Sequence, residues 1–424
     1  MKGTGVLLMQ EQNFLGPYRI LDLTDEQGLI CGKLLGDLGA DVIKIEKPGG
    51  DPARNIGPFY QDLLDPEKSL YWFAFNTSKR GITLDIETSD GQEVFKKLVK
   101  GADCVIESFR PGYMDSIGLG YAGLCEIKSD IIMTSITPFG ASGPFKDYEA
   151  SDLTLWALSG LLYICGDPDR PPVRISLPQS FLHAGVDAAV GTVMALYHRG
   201  MEGEGQKVEV SIQESLERIG YPSRTTWDGR KKILRRPGSS LRVPPLGTET
   251  PLIWPCKDGY VAFYLFGGSM GAISNPALVE WMEEEKMATD FIRSVDWPNL
   301  DIGRTPQEQI DLIVEPISKF FLSHKKSELW EEGVKRRVMV YPVANAKDIL
   351  SDPQLMERGF WVEIDHPELN NVMTYPGPFV RTEEKLCRIR RRAPLIGEHN
   401  TDVYVGELGF SKEDIAILKQ CMVI

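Results

Sequence analysis

The chain has 424 residues, 42% apolar and 25% charged, the balance of a folded globular protein long enough for two or three domains. That composition excludes a disordered chain, a fibre and a small disulfide scaffold. With 47 Lys and Arg against 60 Asp and Glu, the net charge is −13. An acidic field of this size argues against bulk nucleic-acid binding, so any bound anion needs a local cluster of basic side chains.

In chain order, residues 1–12 read as no leader peptide, with one Lys and a short apolar run. Residues 19–23 predict a strand, 30–38 a helix stopped by Gly39, and 41–46 a second strand ended by Pro48-Gly49-Gly50-Asp51. Residues 82–86 look extended, and Ser89 is placed to cap a helix through Lys100. Short apolar strands are expected at 104–106 and 131–136. Residues 181–198 predict a long apolar helix rich in Ala and Gly. Each glycine costs a helix about 1 kcal/mol relative to Ala, which is tolerable where something packs close to the backbone. A turn at Gly203-Glu204-Gly205 leads to a strand at 207–212. Strands alternating with helices at this spacing indicate a Rossmann-like α/β domain built on a parallel sheet.

Composition then changes. Residues 224–242 are basic, carry proline and lack apolar periodicity, which reads as a linker. A strand at 260–265, a glycine-rich stretch from Gly267 to Gly271 and a helix at 276–286 follow. Thr305-Pro306-Gln307-Glu308 has the pattern of a capping box opening a helix to His324. This block reads as a smaller α/β domain, and Ser411 caps a short terminal helix. The division expected is 1–223 for the large domain, 224–250 linker, 251–335 small domain and 336–424 returning to the large one.

The seven cysteines form no CxxC pair, and the five histidines are too dispersed for a metal motif. Buried free thiols in a reducing compartment are the simpler reading, with the cytoplasm as default and neither metal nor nicotinamide cofactor expected. No apolar run approaches the ~18 residues of a membrane span. Gly118-Leu119-Gly120-Tyr121-Ala122-Gly123 matches GxGxxG but does not follow a strand, so it is no dinucleotide fingerprint. Asn76-Thr77-Ser78 is a sequon expected to carry no weight, since no leader is expected. Lys47, Arg54, Lys79, Arg80 and Arg110 all fall near predicted strand ends or loops, where a phosphorylated ligand of an open α/β sheet would need cations. On charge alone, solvated surface residues are the simpler reading.

A further pattern runs the length of the chain. Leu23-Thr24, 38–46 (LGADVIKIE), Gly49-Gly50-Asp51, Asn76, Lys79-Arg80, Leu84-Asp85 and 107–112 (ESFRPG) come in order. Leu119-Gly120-Tyr121, Phe139-Gly140, Ser142-Gly143-Pro144, Asp152, 157–160 (ALSG), Gly205-Gln206 and Gly397-Glu398-His399 follow. The whole resembles the class III CoA-transferases of the formyl-CoA and carnitine type, related to α-methylacyl-CoA racemase. The resemblance implies an interlocked dimer of ring-shaped chains, each with a large Rossmann-like and a small domain. It implies CoA near Gln27, Gly28, Lys47, Leu84, Phe109, Arg110, Thr137 and Phe139, and a glycine-rich loop at Gly267-Gly268 that shields the reaction centre.

In that family an aspartate carboxylate attacks the acyl-CoA thioester, and the resulting mixed anhydride and aspartyl-CoA thioester pass CoA to an incoming acid. The aspartate opens a helix resembling D-L-L-A-G upstream of the Gly-Gln turn. Here the run is Phe181-Leu182-His183-Ala184-Gly185, so Phe181 holds the nucleophile's position. Sliding the match offers only Ser180 or Gln179, and no Asp or Glu lies between Asp169 and Asp187. Asp187 falls on a different helix face. Of the racemase acid/base pair, the histidine position carries Ser151 and the aspartate is the one already missing; His183 reads as structural. Glu87 and Ser116 stand where formyl-CoA transferase carries basic residues, which weakens phosphate binding.

The resemblance therefore implies a subunit without a catalytic residue of its own, paired with a homologous aspartate-bearing chain in a heteromeric CoA-transferase. It is most like the heteromeric members that move CoA from succinyl-CoA to a carboxylic acid such as (R)-benzylsuccinate in aromatic degradation. Phe139, Trp156 and Phe181 are compatible with an aromatic substrate or with a core. The rivals are a homodimeric CoA-binding pseudoenzyme and an active transferase using Asp187 or another carboxylate.

Overall fold

The computed structural model describes residues 13–424. Residues 1–12, expected to hold no leader, lie outside the described residues. The chain divides into two compact units: one takes the chain up to Leu161, Ile175–Thr225 and Met356–Ile424, the other Leu162–Arg174 and Thr226–Leu355.

The first unit begins β1 (Arg19–Leu23), α1 (Leu29–Asp37), β2 (Asp41–Glu46), α2 (Leu70–Phe75), β3 (Lys79–Thr83), α3 (Ser89–Lys100) and β4 (Cys104–Glu107). It continues with α4 (Tyr113–Ser116), α5 (Tyr121–Ile127), β5 (Ile132–Thr137), α6 (Asp152–Leu158), α7 (Ser180–Glu202), β6 (Lys207–Ser211) and α8 (Ile212–Ile219). The six strands form one sheet in the order β3-β2-β1-β4-β5-β6, and every neighbouring pair is parallel. This is the doubly wound order, in which the chain switches direction between β1 and β4. Both sheet faces are covered, and the strands read as near-continuous apolar runs for that reason: β5 is buried at every position.

β1 and β2 fall where the sequence places them. β3 begins earlier than the extended stretch at 82–86, at Lys79, whose charge hides its burial. The chain leaves the sheet after Leu84, where the Asp85 N–H turns to the Val423 carbonyl at 2.7 Å. Helix α3 is capped by Thr88, not Ser89: the Thr88 Oγ1 accepts the Gly91 N–H at 3.0 Å.

Helix α7 explains its own glycines. A Cβ on Gly185 would lie 2.2 Å from Ile30 Cγ2 of α1, and one on Gly191 2.8 Å from Val208 Cγ1 of β6. These gaps let α7 settle against α1 and the sheet. By length and mean hydropathy α7 could also cross a membrane, contrary to the expectation that no stretch approaches that. One face of it packs into the core, with Ala184, Gly185, Ala188, Ala189, Thr192, Ala195 and Leu196 buried, while Val186, Val190, Met194 and Tyr197 on the other face are exposed.

The stretch expected as a linker at 224–250 is structured. Helix α9 (Tyr221–Arg230) runs into it, and β7 (Ser240–Val243) pairs antiparallel with β8 (Thr248–Pro251). Then come β9 (Ile253–Cys256), β10 (Gly259–Phe263), α10 (Gly268–Glu284), α11 (Asp290–Arg293), α12 (Gln307–Ser323), α13 (Lys326–Arg336), β11 (Val340–Pro342), α14 (Ala346–Leu350) and α15 (Pro353–Glu357). Strands β11-β10-β9 form an antiparallel sheet packed on α10, α12 and α13 through Trp254, Phe263 and Phe321, whose rings meet edge to face at 5.4–5.8 Å. The expected capping box is absent: Pro306 takes the N-cap, and the Thr305 hydroxyl donates to the Asp301 carbonyl at 2.7 Å. Back in the first unit, β12 (Trp361–His366) and β13 (Asn371–Pro376) make a hairpin, and α16 (Lys412–Gln420) is capped by Ser411 in a true capping box.

Candidate functional site

Ligands of doubly wound sheets sit outside the carboxyl ends of the strands at the switch point. The loop after β1 is tied to the loop after β4 across that point. Ser108 Oγ accepts the Asp25 N–H at 2.8 Å and donates to Asp25 Oδ1 at 2.8 Å. Asp25 Oδ1 also accepts the Gln27 N–H at 3.0 Å. Gln27 turns its Nε2 to Asp25, and its buried Oε1 has no hydrogen-bond partner among the described residues, an acceptor open to a ligand's N–H or O–H. Gly28 follows at the start of α1, where a Cβ would strike the Thr24 side chain at 2.5 Å.

The other six proposed CoA residues occupy the same edge. Lys47 follows β2, buried Leu84 follows β3, Phe109 and Arg110 follow β4, and Thr137 ends β5 with Phe139 just beyond. Phe109 packs against Tyr113, the rings tilted by 39° with centroids 4.7 Å apart, and its N–H is held by Glu107 at 2.7 Å. Arg110 opens onto a cavity of about 240 Å³ with Tyr113, Ser116 and Asp147. Thr137 Oγ1 accepts the Gly140 N–H at 3.1 Å, and Phe139 meets Phe145 edge-on at 5.9 Å.

The cations divide sharply. Lys79, fully buried, donates to Asp22, the Leu29 carbonyl and Asn76 at 2.8–2.9 Å, which uses all three of its protons. Lys44 pairs with Asp51 at 2.9 Å beneath the crevice and donates to the Thr24 carbonyl. Arg54 grips Glu46 through Nε at 2.6 Å and Nη2 at 2.8 Å. Lys79 and Arg80 begin β3, at the edge opposite the crevice, and Arg80 is held by Asp41 and Glu407. Three of the five candidate anion ligands, Arg54, Lys79 and Arg80, are therefore structural, because the fold already pairs each with carboxylates. Lys47 remains exposed, but Glu87 already pairs with it at 2.8 Å and also accepts the Tyr113 hydroxyl at 3.1 Å. The Lys47 bond, then that of Tyr113, holds the Glu87 carboxyl below its usual range.

At the start of α7, Phe181 is buried and Gln179 is the N-cap without a side-chain bond. The carboxylate serving this terminus comes from α6. Asp152 Oδ1 accepts the N–H groups of Gln179 and Ser180, each at 2.9 Å, and the Ser180 hydroxyl at 2.7 Å. Asp187 points elsewhere and pairs with Arg218 at 3.0 Å. Near Asp152 lies an acidic group that sequence reasoning missed. Burial, then the charges of Asp25, Asp51 and Asp152, push the Glu26 carboxyl up. Burial, then the same four carboxylates, push up the Tyr71 phenol. These side chains come from four separated segments, so no local motif announces them.

Cys31 and Cys104 are buried with their thiols pushed up by burial, the reverse of what a nucleophilic cysteine needs. Among the described residues no three His, Cys, Asp or Glu converge as metal ligands. Gly267 and Gly268 open α10, where a Cβ on Gly267 would lie 2.1 Å from the Leu300 carbonyl oxygen. Close packing accounts for that glycine.

The model of CoA-transferase family III matches residues 15–400, and the chain belongs to that family. It is 36% identical to the succinyl-CoA:(R)-benzylsuccinate CoA-transferase subunit BbsE of Thauera aromatica, over 94% of this chain and 95% of that protein. It is 30% identical to the succinyl-CoA–D-citramalate CoA-transferase of Chloroflexus aurantiacus, over 94% of each. A CAIB/BAIF family protein from Brucella suis shares the fold, with a TM-score of 0.80 at 24% identity over 93% of this chain and all of that one. CoA thioesters are the substrates of this chemistry.

Proposed function

We propose that this chain is the subunit of a heteromeric family III CoA-transferase that carries no nucleophile of its own. Its partner is a homologous chain that keeps the aspartate. Together they move CoA from an acyl-CoA such as succinyl-CoA to a carboxylic acid, with benzylsuccinate as the acid suggested by the Thauera aromatica relative. The two chains interlock as rings in the cytoplasm, and CoA lies along Gln27, Gly28, Lys47, Leu84, Phe109, Arg110, Thr137 and Phe139.

The observation that carries this reading is the start of α7. Covalent transfer needs a free carboxylate there. Phe181 is instead buried in that position, and Asp152 Oδ1 is occupied by three donors of α7. The Asp187–Arg218 pair disfavours Asp187 as a substitute. The Lys47–Glu87 pair supports weak CoA binding by this chain, since a carboxylate already sits where a phosphate would.

The test is to incubate the purified chain alone with succinyl-CoA and treat it with hydroxylamine. Peptide mass spectrometry should find no hydroxamate on any carboxylate, and no CoA should pass to an added acid. A hydroxamate on Glu26, Asp152 or Asp187 would overturn the reading in favour of an active chain with an unusual nucleophile.

A further inference from the structure

A second basic cluster lies away from the carboxyl edge, where the returning C-terminal segment closes the β3 edge of the sheet. The Gly81 N–H of β3 meets His399 Nδ1 at 3.1 Å, and a Cβ on Gly81 would lie 2.8 Å from Pro394. A main-chain N–H can only donate, so Nδ1 is the acceptor and the neutral imidazole carries its hydrogen on Nε2. Burial above all, with Arg391 and Arg80 adding to it and Glu398 opposing, holds His399 below the usual histidine range, which keeps the ring neutral at pH 7.

Arg391 Nη1 stands 3.3 Å from that Nε2. A guanidinium has donors only, so two donors face each other with no acceptor between them. Arg391 has no carboxylate partner among the described residues. The nearby acid does not serve it: Glu398 binds Arg392 through both oxygens at 2.7 and 2.9 Å and accepts the Leu395 N–H at 2.9 Å. Arg391 and His399 line a cavity of about 480 Å³ that also includes Glu363 and Asp365.

We propose that this cavity binds a small oxyanion, a carboxylate or phosphate, bridging the Arg391 guanidinium and His399 Nε2–H. An oxyanion supplies the acceptors that both groups lack, and a planar guanidinium matches either form in bidentate geometry. Glu363 and Asp365 restrict the occupant to a compact anion, because a large polyanion would meet their charges.

The experiment uses the full chain labelled with [¹⁵N]histidine. Inorganic phosphate and succinate are titrated separately at constant ionic strength, and the ring nitrogens are followed by NMR. His399 is identified by the signal lost in His399→Gln. The expected result is an Nε2–H tautomer and a saturable shift, weakened about tenfold or more in Arg391→Gln. A response to phosphate alone identifies a phosphate site, and one to succinate alone a carboxylate site. Arg391 is exposed, so its replacement should fold; Arg391→Lys, which keeps the charge but loses the fork, should bind at intermediate strength. An Nδ1–H tautomer, no saturable shift with either anion, or an equal shift in Arg391→Gln overturns the proposal.

Discussion

Asp152 accepts the Ser180 hydroxyl at 2.7 Å, and through this bond a carboxylate from α6 holds the first turn of α7. The main-chain N–H groups of Gln179 and Ser180 join it at 2.9 Å. A negative charge at a helix N-terminus satisfies free donors and opposes the positive end of the macrodipole. In this chain Asp152 is a structural cap for the start of α7.

Removing that cap should cost stability. Asp152→Ala is expected to lose about 1–2 kcal/mol in urea unfolding, and Ser180→Ala about 1 kcal/mol. Because the two share one bond, the double variant should lose less than the sum. Additive losses would mean that Asp152 does not act through Ser180.

Gly185→Ala should destabilise the protein by about 1–3 kcal/mol despite alanine's helix preference, because its Cβ would meet Ile30 Cγ2 at 2.2 Å. Ile30→Ala removes that methyl, so the added cost of Gly185→Ala should shrink in its presence. Unfolding of the four proteins of this cycle measures the coupling.

Glu87→Gln should free Lys47. Titration calorimetry with CoA is expected to give two- to fivefold tighter binding, about the worth of an exposed ion pair, and the gain should fade as salt rises. Unchanged affinity would place Lys47 outside the CoA site.

Glu107 should give stability a pH dependence. Burial, only partly offset by the Phe109 N–H, pushes its carboxyl up to about 7. Between the ordinary glutamate value of about 4.3 and pH 7, the unfolded chain has released this proton and the folded chain has not. The folded state binds more protons there, so this contribution is full below that window and is lost as pH rises through it, by up to about 3 kcal/mol. Glu107→Gln should flatten that slope in denaturant titrations between pH 4.5 and 7.5.

Much of the sheet was legible because its strands are short apolar runs between turn residues: β1 and β2 match residue for residue. The start of β3 was not, since Lys79 and Arg80 look like surface charges until Asp22 and Asp41 arrive from other strands. α9 lacks an apolar stripe, so its sequence carries no helical period, although Arg224 and Lys231 lie over the rings of Tyr221 and Trp227. At the candidate site the proposed role of Phe181, as the residue in the nucleophile's position, rests on its neighbours in the chain alone. The Asp152 cap was not readable, nor was the gathering of Glu26, Tyr71, Asp51 and Asp152, because these are contacts between segments far apart in sequence.

The central claim is that this chain works beside an aspartate-bearing homologue, and the most direct test is the native mass and subunit composition of the complex purified from its own host. The account predicts a mixed assembly in which a second family III chain carries the aspartate, with transferase activity only when both are present. A pure homomer with full transferase activity would contradict it.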